Sequence, residues 1–145
     1  MLEAKCGFNS IPNGASGAEL LTTWGPTLFV NIGFDKNWNV AMSPTPPISG
    51  IINVQALVDT GAGESCIDDL LATQLNLPVI DKRPVSGSAG QHETKIYLAQ
   101  IHIPSLQHTI YGSFAGVHLV AGGQVHQALI GRTFLAGLGR LQKCQ

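Results

Sequence analysis

The stretch between Lys95 and Arg132 most limits what this chain can fold into, because it contains no Asp, Glu, Lys or Arg. A segment so poor in charge belongs in a membrane or in the core of a protein. Histidines, glutamines, Pro104 and repeated glycines divide it into short pieces, and no apolar run approaches the roughly 20 residues of a membrane-spanning helix. The stretch therefore predicts short buried β-strands in a soluble domain.

Overall composition excludes several classes of protein. The chain has 145 residues, 8 basic and 9 acidic, with a formal net charge of −1, and this length suits one domain. With 44% hydrophobic and 12% charged residues, the body of the chain is not disordered. The balanced charge and the lack of a basic run argue against a nucleic-acid or membrane-surface partner.

The cysteines and histidines predict neither a disulfide framework nor a metal site. Cys6, Cys66 and Cys144 are odd in number and far apart, which indicates thiols in a reducing compartment. The five histidines show no metal-binding spacing, so no metal and no other cofactor is expected. The N-terminus lacks a basic region followed by an apolar run, and the cytoplasm is therefore the expected compartment.

Strand signals dominate the chain after an N-terminal arm. Residues 1–26 mix Gly, Asn, Ser and Pro and predict an irregular arm with a short strand near Leu20–Thr23, and residues 27–145 are the predicted folded domain. The expected strands of this domain are short and separated by Gly and Pro, and they cover residues 27–34, 51–58, 95–103, 109–114, 117–120 and 128–130. The fold class is mainly β.

Two short segments carry helix signals. Ser65 followed by Asp68 is similar to a capping box, and apolar residues then recur at helical spacing as far as Pro78, at Ile67, Leu70, Leu71 and Leu75. Asp68 and Asp69 would then lie on a solvated helical face. A second short helix is predicted over residues 132–138.

The segment Leu57–Ala62, with the sequence Leu-Val-Asp-Thr-Gly-Ala, is the candidate catalytic motif. A carboxylate directly after a buried apolar strand is unfavourable unless it is hydrogen-bonded. Gly61 lets the backbone approach closely, so backbone amides and the Thr60 hydroxyl can hold Asp59 in one orientation. The alternative is a simple turn at the end of a strand, where Asp, Thr and Gly are all common.

A second motif favours the catalytic interpretation. Farther along the chain, Ala128-Leu129-Ile130-Gly131-Arg132 again runs from an apolar strand into a glycine. The two motifs, in this order, resemble those of the retropepsins, the retroviral-type aspartic proteases. In that family Asp-Thr-Gly-Ala follows an apolar strand and Ile-Gly-Arg precedes the C-terminal helix. The resemblance extends from about Gly25 to Leu141, and the helix signal at Cys66–Leu75 makes the chain more similar to cellular and bacterial members.

The resemblance implies a closed, barrel-like β fold with one lobe per chain and one or two short helices. It also implies roles for individual residues. Asp59, Thr60 and Gly61 would be the catalytic segment, and the Thr60 hydroxyls would interlock across a two-fold axis. Substrate would contact Ala62 and a Gly-rich hairpin, the flap, matched here by Val85, Ser86, Gly87, Ser88, Ala89 and Gly90. The site would be supported by Ile130, Gly131 and Arg132.

One position departs from the family. Viral members carry an acid at the position of Gly63, and that acid pairs with the arginine of the second motif. The nearest acid here is Glu64, so the sequence leaves the partner of Arg132 open.

The presence of a single Asp-Thr-Gly predicts a shared active site. Peptide hydrolysis without a metal or a nucleophilic side chain needs a base for the water and an acid for the carbonyl oxygen. Two aspartates that share one proton supply both. The second Asp59 must then come from another chain, so the prediction is a homodimeric aspartic endopeptidase that cleaves peptide or protein substrates. The alternatives are a catalytically silent binding or scaffold domain of the same fold, and an unrelated small β-barrel ligand binder.

Overall fold

The computed structural model describes residues 6–37, 50–87, 90–123, 125–132 and 134. The described residues contain two helices, α1 (Gly17–Trp24) and α2 (Asp69–Gln74), and a 3-10 turn at Pro104–Leu106. They also contain seven strands, which are β1 (Thr27–Gly33), β2 (Gly50–Val58), β3 (Cys66–Asp68), β4 (Val79–Gly87), β5 (Gly90–Ile103), β6 (His108–Val117) and β7 (Ala128–Ile130).

Six of the strands close into a barrel. The sheet order is β1-β2-β7-β3-β6-β5-β4, and β5 also pairs back onto β1, where Ile101 lies opposite Ile32. Within the described residues β4 pairs with β5 alone, so the β4–β5 hairpin extends from the barrel. Most neighbours are antiparallel, whereas β2–β7 and β3–β6 are parallel. The prediction of a mainly β, closed, barrel-like lobe is confirmed.

The barrel encloses one hydrophobic core. Alternate residues of the strands point inward because successive side chains of a strand face opposite sides. Gly112 gives the ring of Phe134 the space to enter this core, since a Cβ at position 112 would lie 1.7 Å from that ring. The rings of Phe134 and Phe114 pack with centroids 4.8 Å apart. Cys6 of the N-terminal arm is also fully buried there, among the strand residues Leu28, Val30, Ile32, Val54, Ala56, Ile101, Phe114 and Ile130.

Most predicted strands are present, and two are wrong. The strands expected at 27–34, 51–58 and 128–130 are β1, β2 and β7, and those at 95–103 and 109–114 lie within β5 and β6. The strand expected at Val117–Val120 is wrong, because β6 ends at Val117 and the chain turns. The turn forms because the backbone amides of Leu119 and Val120 donate to Asp68 Oδ1, at 3.0 and 3.2 Å.

The strand predicted at Leu20–Thr23 is also wrong, because this segment lies in α1. A capping box at Ser16 and Glu19 begins the helix, with the Glu19 amide donating to Ser16 Oγ at 3.1 Å and the Ser16 amide donating to Glu19 Oε2 at 3.0 Å. The helix ends at Gly25, whose φ of +84° favours glycine. The irregular arm is therefore limited, among the described residues, to residues 6–16, and residues 1–5 lie outside them.

The helix predicted from Ser65 begins later than expected. Cys66–Asp68 is strand β3, and α2 covers only Asp69–Gln74. Asp68 is not on a solvated face, since it is only 5% exposed. Of the helix predicted at 132–138, Arg132 and Phe134 are described and are helical, and the rest lies outside the described residues. No helix in the described part of the chain is long and apolar enough to cross a bilayer.

Candidate active site

Asp59 stands at the end of β2, where the chain turns. Its backbone amide donates to the Ile130 carbonyl at 2.9 Å, and its Oδ1 accepts from the Gly61 amide, also at 2.9 Å. The Ala62 amide closes the turn on the Asp59 carbonyl at 3.2 Å. Asp59 is partly exposed and the Thr60 side chain is exposed. The Gly61 amide thus holds the carboxylate in one orientation at the surface, as the sequence predicted for a backbone amide.

Parallel pairing of β2 with β7 brings the two motifs together. Val58 lies opposite Ile130, so the chain leaves both strands at the same end of the barrel. The Arg132 amide then donates to the Ala62 carbonyl at 2.9 Å. Gly131 is required at this contact, because a Cβ there would lie 2.7 Å from the Glu64 carbonyl oxygen and 2.9 Å from that of Ala62.

Arg132 binds the active-site loop through carbonyl oxygens. Its Nη1 donates to the carbonyl of Thr60 at 3.1 Å and to that of Gly61 at 3.3 Å. A Cβ at Gly63 would lie 3.4 Å from Nη2, beside the guanidinium, where the viral enzymes carry the acid. Glu64 is instead paired with Arg83 of β4. The partner of Arg132 in the described structure is therefore the backbone of the loop.

Ser65 supports the site in a way that the sequence did not reveal. Its Oγ accepts from the buried Gly131 amide at 2.9 Å, and its carbonyl accepts from the Ala115 amide at 3.0 Å. Ser65 is fully buried, so this hydroxyl joins the first motif to the second inside the protein. The only sequence signal is the position of Ser65 between the loop and the following apolar residues, and that position predicts a helix cap instead of a contact with Gly131.

The predicted flap segment forms the end of the β4–β5 hairpin. Val85 pairs with His92, Ser86 with Gln91, and Gly87 with Gly90. Gly90 has a φ of +102°, a conformation that favours glycine. Ser88 and Ala89 lie outside the described residues, and the covering of substrate by this hairpin stays a prediction.

Cys66, His102 and His126 are poorly suited to act as a nucleophile or a base. Burial, with a smaller contribution from Glu64, raises the pKa of the Cys66 thiol, so the thiolate is disfavoured. Burial lowers the pKa of His102 and His126, which lie against the Thr109 and Thr27 hydroxyls. In the described part of the chain, no three His, Cys, Asp or Glu side chains converge as metal ligands would.

Comparison with known families agrees with this geometry. The sequence profile of the family described as "gag-polyprotein putative aspartyl protease" matches residues 47–137, which include both motifs and the hairpin. The chain belongs to this family. An unrelated β-barrel ligand binder is therefore excluded, and the resemblance to retroviral-type aspartic proteases is confirmed. The closer similarity to cellular and bacterial members stays a prediction.

A solved structure of a retroviral protease shares the fold of this aspartyl protease family member. The solution structure of simian foamy virus (mac) protease aligns with a TM-score of 0.51 at 12% identity, covering 82% of this chain and 99% of that one. EIAV protease in complex with the inhibitor HBY-793 aligns with a TM-score of 0.46 at 20% identity, covering 79% and 88% of the two chains. No curated protein sequence matches the chain. The foamy virus comparison supports the single-lobe retroviral protease fold.

Proposed function

We propose that this chain is an aspartic endopeptidase in which two Asp59 carboxylates, one from each chain of a homodimer, activate the attacking water. One observation carries the proposal. Asp59 is a partly exposed carboxylate, oriented by the Gly61 amide at 2.9 Å, at the junction of the two family motifs. The protease domain comprises residues 27–145 in this proposal, and residues 1–26 form its arm.

The other carboxylates near the site have structural roles, which is why a second chain is needed. Asp68 is buried and accepts the amides of Leu119 and Val120. Asp69 Oδ1 accepts the Tyr97 hydroxyl at 2.6 Å. Within the described residues, Asp59 alone combines exposure with an Asp-Thr-Gly turn. A two-fold axis beside this turn would place two equivalent carboxylates together.

The chemistry follows from two carboxylates that share one proton. Like charges about 3 Å apart cannot both ionise, so one Asp59 is a carboxylate and the other a carboxylic acid. The carboxylate takes a proton from water, whose oxygen attacks the peptide carbonyl carbon, while the acid protonates the carbonyl oxygen. The tetrahedral intermediate then collapses, the C–N bond breaks, and the leaving nitrogen accepts a proton from the dyad. No cofactor takes part.

The surrounding residues are assigned by the same proposal. Thr60 hydroxyls interlock across the axis, and Ile130, Gly131 and Arg132 hold the loop. An extended peptide lies along Ala62 and beneath the hairpin residues 85–90, adding backbone hydrogen bonds as a strand would. Arg132 supports this proposal, since its guanidinium fixes the two carbonyls that follow Asp59.

Replacement of the proposed catalytic carboxylate tests the function. Asp59→Asn should abolish cleavage of a peptide library, because the amide cannot act as the base. Asp35→Asn is a matched control, because Asp35 Oδ1 accepts the Asn37 amide at 2.9 Å in a similar turn far from the two motifs. Cleavage by purified Asp59→Asn protein would contradict the mechanism. Failure of the folded wild-type chain to cleave any peptide would favour the silent scaffold.

Dilution tests the dimer. If each chain supplies one Asp59, activity per chain should fall once the concentration drops below the dimer dissociation constant. A peptide-like inhibitor that binds across both chains should shift the population toward dimers, as measured by sedimentation. Activity per chain that is independent of concentration over the range in which the protein dissociates would contradict the shared site.

A further inference from the structure

The β4–β5 hairpin leaves the barrel at the level of Tyr97. Tyr97 lies opposite Phe114 of β6 on one side and opposite Val79, the first residue of β4, on the other. Within the described residues, the part of β5 that precedes Ile96 pairs with β4 alone. Position 97 is therefore the root of the hairpin, the point at which a strand of the barrel becomes an arm of the hairpin.

The Tyr97 side chain is buried and ends on a carboxylate of α2. Tyr97 is only 2% exposed, and its hydroxyl donates to Asp69 Oδ1 at 2.6 Å. Burial, and then this hydrogen bond, raise the pKa of the Tyr97 hydroxyl, so it keeps its proton and remains the donor. Asp69 is the first residue of α2, and the chain runs from α2 through Pro78 into β4. The bond thus ties the root of the hairpin to the helix that leads into it.

Gly116 of β6 leaves the space for this pair. A Cβ at position 116 would lie 2.6 Å from Asp69 Oδ1 and 2.7 Å from Cε2 of Tyr97, both closer than normal contact. One turn along α2, the Thr73 hydroxyl donates to the Asp69 carbonyl at 2.9 Å. Three elements, β5, β6 and α2, therefore meet at this pair, and the charged acceptor makes the bond stronger than one between neutral groups.

A small rotation at the root is magnified at the tip of the hairpin. Gly87 follows Asp81 by six positions along β4. A strand rises about 3.3 Å per residue, so the tip lies about 20 Å from the root, and a rotation of about 10° would move it by about 3–4 Å. A displacement of about 1 Å in a group that positions substrate is enough to lower catalytic efficiency. The contacts at the root therefore control where the proposed flap lies.

We propose that Tyr97 and Asp69 are positioning residues, whose hydrogen bond fixes the orientation of the β4–β5 hairpin over the candidate active site and thereby sets the affinity for substrate. This inference rests on the peptidase function proposed above. Neither residue touches the reacting atoms in this assignment, because both act through the hairpin. Loss of the bond should therefore weaken substrate binding and leave the chemical step at Asp59 nearly unchanged.

Removal of the tyrosine hydroxyl tests the assignment through the kinetics of peptide cleavage. Tyr97→Phe keeps the ring and should raise KM about fivefold while kcat changes less than about twofold, because one lost hydrogen bond shifts an equilibrium by about that factor. Asp69→Ala should do the same, whereas Asp69→Asn keeps a carbonyl oxygen as acceptor and should retain most of the affinity. Combining Tyr97→Phe with Asp69→Ala should add little to either change, since both remove the same bond.

Hydrogen exchange gives a second result that needs no turnover. Residues 90–95 pair with β4 alone, so their backbone amides report on the hairpin, and those of β2 report on the barrel. In Tyr97→Phe the exchange of residues 90–95 should accelerate about threefold or more, while exchange in β2 stays within about twofold of the wild type. Thr22→Val is the control for both measurements and should change neither, because it removes an exposed hydroxyl that donates to the Ala18 carbonyl within α1. Equal acceleration in both regions would mean a general loss of stability and would overturn the positioning role.

The two measurements separate failure of the inference from failure of the function. If cleavage depends on Asp59 but Tyr97→Phe leaves KM unchanged, the positioning role is overturned and the peptidase stands. If no Asp59-dependent cleavage occurs, the proposed function fails, and hydrogen exchange alone decides whether this pair anchors the hairpin. Selective acceleration in residues 90–95 would then support the anchor, and its absence would overturn it.

Discussion

Replacing Ser65 with alanine should destabilise the protein, because it removes a buried hydrogen bond. Ser65 is fully buried and its Oγ accepts the Gly131 amide at 2.9 Å, in the link between the two motifs. Alanine removes the acceptor and leaves a buried N–H donor without this partner. Gly131 is packed against the backbone of Ala62 and Glu64, which limits how far it can shift after the substitution.

The expected size follows from the cost of an unsatisfied buried donor, which is about 1–3 kcal/mol. For a chain of this length 1 kcal/mol corresponds to about 3 °C, so a central value of about 2 kcal/mol lowers the melting temperature by about 6 °C. Urea unfolding at one protein concentration measures the change, since a dimer's stability depends on concentration. The free energy of unfolding should depend on urea concentration with the same slope as in the wild type, and the urea concentration at the midpoint should be lower.

Controls distinguish this bond from a general effect of removing a serine. Ser105→Ala, at an exposed position of the 3-10 turn, should change stability by less than about 0.5 kcal/mol. Ser65→Thr keeps the hydroxyl and should retain more stability than alanine, apart from the cost of one added methyl group. A Ser65→Ala protein with wild-type stability would refute the assigned role.

Three further perturbations have expected outcomes. Burial lowers the pKa of His102 and His126 below the ordinary 6.5, so below that pH the unfolded chain binds protons that the folded chain does not. The free energy of unfolding should therefore keep its full value above about pH 6.5 and decrease as the pH falls further. Urea midpoints that do not decrease with falling pH would contradict this. Gly63→Asp should raise stability by up to about 1 kcal/mol by placing a carboxylate beside Arg132, with Gly63→Asn as the uncharged control in thermal melts. Gly90→Val should cost about 1–2 kcal/mol in urea unfolding as well as activity, because position 90 has a φ of +102°, and unchanged stability would show that the hairpin adapts.

The local pattern of apolar residues in the sequence predicted the positions of the strands better than those of the helices. Strands β1, β2 and β7 were predicted from short apolar runs between Gly and Pro, which are local signals. β3 was interpreted as helix because Ile67 is spaced from Leu71 as in a helix and Ser65 is similar to a cap. The Ser65 hydroxyl instead bonds to Gly131, 66 positions away, and no local pattern contains that information.

The site shows the same division between local and distant contacts. The orientation of Asp59 was predicted because the Gly61 amide is two residues away. The Glu64–Arg83 pair was not, because it depends on where the hairpin lies relative to the loop. Asp68 was expected in solvent and is buried, since its partners are amides of a turn more than 50 residues distant.

Subunit exchange tests the central claim, one Asp59 from each chain, most directly. Excess Asp59→Asn chain is mixed with a fixed amount of wild type, exchange is confirmed with a mass-tagged chain, and peptide cleavage is measured. The account predicts that activity falls toward zero as mixed dimers replace wild-type dimers, whereas excess Asp35→Asn chain does not suppress it. Full activity per wild-type chain after demonstrated exchange would contradict the shared dyad.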